Sequence, residues 1–147
     1  MSIRRATTAD LPLLLAIDGG VQRDPTHPAW LRRALAERSA WVLVRKRCIV
    51  AYGVLRRSFF DRWFIESLYV DADLRCTGCG SQLFAFFEGK TQASGEVWTS
   101  TNRSNRPIQQ LLRKRGFVQR GRVTALDPGD PELFYVKRQG QRRPLRA

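Results

Sequence analysis

The segment from Val70 to Lys90, VDADLRCTGCGSQLFAFFEGK, offers two chemistries over the same residues. Cys76 and Cys79 form a C-x-x-C, the spacing of a redox pair or of half a zinc site. Arg75, Gly78 and Gly80 form an R-x-x-G-x-G that opens onto a run with Leu83, Phe84 and Phe87 at helical spacing. A helix that starts at such a loop presents backbone N–H groups with no internal partner, and its dipole places partial positive charge there. Glycines let the chain turn sharply and let a phosphate approach without a Cβ in the way; Arg75 adds a full charge. The spacing is neither a Walker A loop nor a G-x-G-x-x-G, so an ordinary nucleotide loop is not indicated. The thiols have physics of their own, because a cysteine at a helix N-terminus ionises more readily. Yet thioredoxin-like motifs follow the first strand of their domain, and this one lies mid-chain. Three cysteines make no disulfide framework, and a single histidine, His27, remote in sequence, leaves a four-ligand metal site incomplete, so no metal is expected. As small apolar filler, Cys79 points into the core and Cys76 lines the loop.

The elements that must carry this loop can be read on either side of it. Ile3-Arg4-Arg5 is a short strand. Thr7 or Thr8 caps a helix with Leu11, Leu14 and Leu15 as its apolar face, and Gly19-Gly20 stops it. After the loop QRDPTHP a second helix follows, with Trp30, Leu31, Ala34 and Leu35 inward. AWVLVRKRCIVAYGVLRRS reads as a hairpin of Trp41 to Val44 and Ile49 to Leu55 with a basic turn, and FFDRWFIESLYV as a strand ending near Val70. The loop and a helix from about Gly78 to Lys90 come next, then the strand EVWTST. Asn105 caps a further helix, with Pro107 in its first turn, Ile108, Leu111 and Leu112 on its apolar face, and Gly116 at its end. FVQRGRVTAL and ELFYVKR are two final strands around the turn-rich DPGDP. The order β-αα-βββ-α-β-α-ββ places the chain in the α/β class (an α+β mixed sheet), as one domain over 1–138 with a basic, mobile tail over 139–147.

Bulk properties narrow the setting. The 147 residues suffice for one core, and 43% hydrophobic content with a mean hydropathy of -0.36 suits a globular protein. No apolar run approaches the roughly 20 residues of a membrane helix, and MSIRRATTADLP lacks the apolar segment of a signal peptide, so a cytoplasmic protein without a membrane partner is expected. Lys and Arg number 26 against 13 Asp and Glu, a net charge of +13. Such a field concentrates anions: a phosphorylated cofactor, nucleic acid or an acidic protein surface.

The loop does not stand alone. LYVDADLRCTGCGSQL resembles the acetyl-CoA-binding signature of the GNAT superfamily of N-acyltransferases, roughly V-x-P-x-x-R-G-x-G-x-G-x-x-L. Val70, Arg75, Gly78, Gly80 and Leu83 match; Ala72 replaces the proline, Cys76 the first glycine and Cys79 an aliphatic residue. At the expected distance, NRPIQQLLRKRGF resembles the N-x-x-A-x-x-x-Y-x-x-x-G-F helix of the same superfamily. Asn105, Gly116 and Phe117 match, with Ile108 in place of alanine and Leu112 in place of tyrosine. Two motifs in order are more specific than either alone, and the resemblance covers nearly everything but the tail.

The resemblance implies acetyl transfer from acetyl-CoA to a primary amine of a small molecule or protein. The strand ending at Val70 would splay from its neighbour, so that backbone groups of Leu68, Tyr69 and Val70 pair with the pantetheine amides. The pyrophosphate would rest on N–H groups of Cys76, Thr77, Gly78, Cys79, Gly80 and Ser81, beside Arg75. Asn105 would contact the pantetheine arm, and an N–H near Tyr69 would polarise the thioester carbonyl. Glu66, on the same strand and flanked by apolar residues, is the candidate base; a structural pairing with an arginine is its plain alternative. The usual tyrosine acid falls on Leu112, which has no proton to give, leaving Tyr69, Tyr135 and Ser104 as substitutes by chemistry alone. In TSTNRSNRP, turn and cap roles account for most polar side chains, with a site role for Asn105 and Asn102. The charge disfavours a polyamine acceptor and suits an acidic or RNA-associated partner; families of this kind commonly form homodimers. The competing class is a non-catalytic module of the same fold that holds nucleic acid or a ribonucleoprotein through its basic surface.

Overall fold

The computed structural model of the chain describes residues 1–18, 25–75 and 77–139. The expected Gly19-Gly20 helix stop, most of the loop before His27, Cys76 and the tail beyond Gln139 lie outside the described residues. Strand β1 (Ser2–Arg5) leads into a 3-10 turn at Thr8–Asp10. There the Asp10 carboxylate accepts the Thr7 backbone N–H at 2.8 Å and both terminal nitrogens of Arg4 at 2.9 and 3.1 Å. Helices α1 (Leu11–Ile17) and α2 (His27–Ala36) each carry a proline in the first turn, where the missing N–H costs no helical bond.

Strands β2 (Ala40–Arg45), β3 (Cys48–Phe59) and β4 (Arg62–Val70) follow as two tight hairpins. Lys46-Arg47 turns the first with φ of 50° and 65°, Phe60-Asp61 the second with 50° and 62°. Positive φ at both central residues is the two-residue hairpin geometry that matches strand twist. Strand β3 runs four residues beyond the Leu55 end expected from sequence, because the basic Arg56-Arg57 pair reads as a loop while its backbone still belongs to the sheet. Helix α3 (Cys79–Lys90) crosses to β5 (Glu96–Asn102), which is parallel to β4. Helix α4 (Arg106–Lys114) precedes β6 (Val118–Val123) and β7 (Glu132–Arg138). The strands form one mixed sheet in the order β1-β2-β3-β4-β5-β7-β6. The expected element order is the observed one.

Two compact units share the chain: Met1–Leu55 with Glu66–Phe86, and Arg56–Ile65 with Phe87 onward. The first has a core of Ala6, Leu14, Leu31, Ala34, Leu35, Ala40, Val42, Tyr52 and Val54, with Leu11, Leu15, Trp30 and Tyr69 packed against it. The helical stripes expected in α1 and α2 supply Leu14, Leu31, Ala34 and Leu35 of it. In the second unit Ile65, Phe87, Val97, Leu112, Phe117, Leu133, Tyr135 and Val136 are buried. Phe59 stacks there on Phe64 and Phe134 and tilts against Trp98, with centroids 5.1–5.5 Å apart. Glu88, at the end of α3, accepts from Arg115 Nε (2.6 Å), Arg115 Nη2 (3.1 Å) and Lys137 Nζ (2.7 Å). Gln139, assigned to the tail from sequence, is buried; its N–H donates to Gly95 O (2.8 Å) and its amide to Thr91 Oγ1 (2.9 Å). Among the described residues no helix is long and apolar enough to cross a membrane.

Candidate functional site

Within the first unit the end of β4 feeds directly into the glycine loop. Leu68, Tyr69 and Val70 are half-buried, and Asp71 N–H donates to Val50 O (2.8 Å), which pins the strand's exit. The Asp71 carboxylate then accepts the Asp73 N–H (3.0 Å) and starts a 3-10 turn over Ala72–Leu74. Thr77 closes back on Leu74: its hydroxyl donates to Leu74 O at 2.5 Å. Gly78 has φ of +92°, and a Cβ built there would meet no atom within 4 Å, so the backbone is both left-handed and open on that side. The first helical bond of α3 runs from Gln82 N to Gly78 O (3.0 Å). Arg75, Thr77 and Gly78 are exposed, Gly80 and Ser81 half-buried, and Cys79 is buried, its Sγ 3.4 Å from the Thr77 hydroxyl. An exposed arginine, an open glycine turn and the start of a 12-residue helix therefore follow one another within a few residues, a combination suited to a phosphate. The buried position of Cys79 agrees with the filler role expected of it.

The parallel register of β4 on β5 comprises Phe64 with Trp98 and Ile65 with Thr99, while β4 itself continues to Val70. Glu66 is half-buried on that continuation. In the second unit, Asn105 Oδ1 caps α4 by accepting the Ile108 N–H at 3.4 Å. Asn102 donates to Asp127 Oδ2 (3.0 Å) and Asp130 O (3.1 Å), Ser104 donates twice to the Asp130 carboxylate, Ser100 donates to Glu132, and Thr99 to Ile65 O. Of this polar cluster only Asn105 makes the cap bond anticipated from sequence; Thr99, Ser100, Asn102 and Ser104 bond instead to residues 25 or more positions away. Of the substitute acids, Tyr135 is buried at 1% exposure and Ser104 is committed to Asp130.

One arrangement in the first unit went unread in the sequence. Asp18, at the C-terminal end of α1, is 1% exposed and accepts the Tyr52 hydroxyl at 2.5 Å; His27 Nε2 pairs with the same carboxylate oxygen. The His27 ring stacks on Trp30 (5.3 Å) and stands edge-on to Tyr69 (6.3 Å), and Tyr69 stacks on Tyr52 (5.4 Å). Burial, and then the bond to Asp18, push the Tyr52 hydroxyl far above the usual phenol range, so it stays a donor. A signal existed: Leu11, Leu14, Leu15 and Asp18 fall on one helical stripe, and a carboxylate at its fourth position is out of pattern. Its partners could not be inferred, because they come from α2, β3 and β4.

A family model described as Acetyltransferase (GNAT) family matches residues 8–117. No curated protein sequence matches the chain. Among solved structures, a GNAT-family acetyltransferase from Bacillus cereus superposes with a TM-score of 0.82 at 23% identity, covering 95% of this chain and 98% of the other. A ribosomal-protein-alanine N-acetyltransferase from Brucella melitensis superposes with 0.74 at 24% identity, over 94% and 99%. An acetyltransferase from Bacillus anthracis, solved in complex with acetyl coenzyme A, superposes with 0.63 at 20% identity, over 69% and 62%.

Proposed function

Because this chain belongs to the GNAT family of acetyltransferases, we propose that it moves an acetyl group from acetyl-CoA directly to a primary amine, with a protein N-terminus as the preferred acceptor. The observation that carries the donor half is the open loop of Arg75, Thr77 and Gly78 at the head of α3, reached straight from β4. Backbone N–H groups from Thr77 to Ser81 would take the pyrophosphate, with Arg75 beside them. Leu68, Tyr69 and Val70 would pair the pantetheine amides, an N–H near Tyr69 would bond the thioester oxygen, and Asn105 would supply a further pantetheine contact. Cys76 belongs to the same loop by sequence. The acceptor ammonium must also lose a proton, and Glu66, half-buried on β4, is the base that the sequence offers for it.

For the acceptor, two things favour an N-terminal amine of a protein in an RNA-rich setting. One is the net charge of +13, which repels free polyamines and attracts RNA-borne targets. The other is the likeness to an enzyme whose name specifies a ribosomal-protein alanine. Calorimetric titration of acetyl-CoA into the wild type and Gly80→Trp tests the donor half. One-to-one micromolar binding that the substitution abolishes is expected. A folded wild type that binds no acetyl-CoA refutes the proposal. A screen of peptides with free N-terminal residues, against free lysine and spermidine, tests the acceptor half.

A further inference from the structure

The Asp18–His27–Tyr52 arrangement plays no part in that reading, and its cost calls for a reason. A carboxylate 1% exposed, in a core otherwise made of Leu14, Leu31, Leu35, Val42 and Val54, is a poor choice for stability alone. Apolar replacements of buried ion pairs are often neutral or stabilising. What the arrangement does provide is a held imidazole. Asp18 fixes Nε2, Tyr52 fixes Asp18, and Trp30 and Tyr69 fix the ring plane. A carboxylate on one nitrogen selects the tautomer that leaves the other nitrogen, Nδ1, as a proton acceptor. The side chain is 11% exposed, so the ring is not sealed off.

We propose that His27, oriented by Asp18 and Tyr52, is the base that takes the proton from the acceptor ammonium, the role the sequence suggested for Glu66. The assignment rests on the acetyltransferase reading, which puts the reacting carbonyl at Leu68–Val70; His27 stands edge-on to Tyr69 in the middle of that segment. The step balances without a redox partner. The Nδ1 lone pair takes one proton from R–NH3+; the freed nitrogen pair forms the bond to the acetyl carbon; the carbon–sulfur bond breaks with its electrons on sulfur. The second nitrogen proton leaves for the thiolate, so one amide, one thiol and one protonated imidazole result. Asp18 then balances the ring's positive charge. Among the described residues, Asp18 from the end of α1 and Tyr69 from β4 face His27, and Tyr52 from β3 touches both of them.

His27 is the only histidine in the chain, so its ring signals need no assignment. The test follows its carbon and nitrogen resonances with and without acetyl-CoA, in the wild type and in Asp18→Asn. Alongside, kcat/KM against pH is measured with a peptide bearing a free N-terminal alanine, for the wild type, His27→Gln and Glu66→Gln. Expected are an Nε2–H tautomer that Asp18→Asn disrupts, and a ring signal that moves when acetyl-CoA binds. His27→Gln should lose about 100-fold or more in kcat/KM and the acid limb of the pH profile, while acetyl-CoA affinity changes less than about 2-fold. Glu66→Gln should keep that limb. A ring signal blind to bound acetyl-CoA overturns the assignment, as does an acid limb that survives in His27→Gln. Should the wild type not acetylate the peptide, the ring signal alone decides. A wild type that binds no acetyl-CoA refutes the acetyltransferase reading itself, whereas binding with a silent His27 refutes only the role given to His27.

Discussion

Replacing Glu88 by alanine removes a carboxylate that both Arg115 and Lys137 address in the second unit. Glu88 is 8% exposed, and the two cations are 22% and 24% exposed in their side chains. Three charge-assisted contacts of 2.6, 2.7 and 3.1 Å are lost at once. Removing one partner of a buried pair costs about 3–5 kcal/mol, because the remaining charge is stranded. Here the cations keep a path to water, so they rehydrate in part, and the expected loss is about 2–3 kcal/mol. In a domain of this size that lowers Tm by about 5–10 °C. Glu88→Gln keeps the shape and removes the charge, and should cost about half as much. The pH dependence fixes the cause. Burial raises the Glu88 carboxyl, but the bonds from Arg115 and Lys137 outweigh it and leave the group below its ordinary value of 4.5. A depressed folded value means the stabilisation is present above 4.5 and is lost as pH falls through the folded value. The gap between wild type and Glu88→Gln in urea denaturation should thus be widest near neutrality and close in acid. A gap below about 0.5 kcal/mol at neutral pH, the size of a surface pair, would refute the reasoning; so would one that persists unchanged in acid.

Other expected outcomes separate fold from site. Gly78→Ala should cost about 1–2 kcal/mol from its φ of +92° alone, since its Cβ meets no neighbour, yet weaken acetyl-CoA binding well beyond that; a melt and a titration of the same sample read both. Leu112→Ala, at a fully buried position, should lose about 3 kcal/mol in denaturation, which identifies the residue at the usual acid position as core. Tyr52→Phe strips the hydroxyl donor from buried Asp18 and should destabilise by about 1–3 kcal/mol, whereas Phe60→Ser, at 85% exposure, should shift stability by no more than about 0.5 kcal/mol.

Where local rules carry the information, the sequence was legible. The stripe of Leu83, Phe84 and Phe87 marked α3, and Asn105 with Pro107 marked the start of α4. Gly116, with φ of +92°, ended α4 where a left-handed residue was required. In each case the determinant lies within a few residues of its effect. The hairpin tip at Phe60-Asp61 was not legible, because neither residue is a usual turn former and the flanking strands impose the geometry.

For the candidate site the division runs the same way. The loop of Arg75, Gly78 and Gly80, its helix and the order of the elements around it were determined by the sequence alone, since the pieces of the proposed anion site, a glycine turn and a helix N-terminus, come from consecutive residues. Only the tertiary structure decided that Asp18 meets Tyr52, 34 residues away, and that His27 lies between Trp30 and Tyr69. A buried carboxylate is tolerable only when its partners arrive together from α2 and β3, and no property of a single segment encodes that arrival.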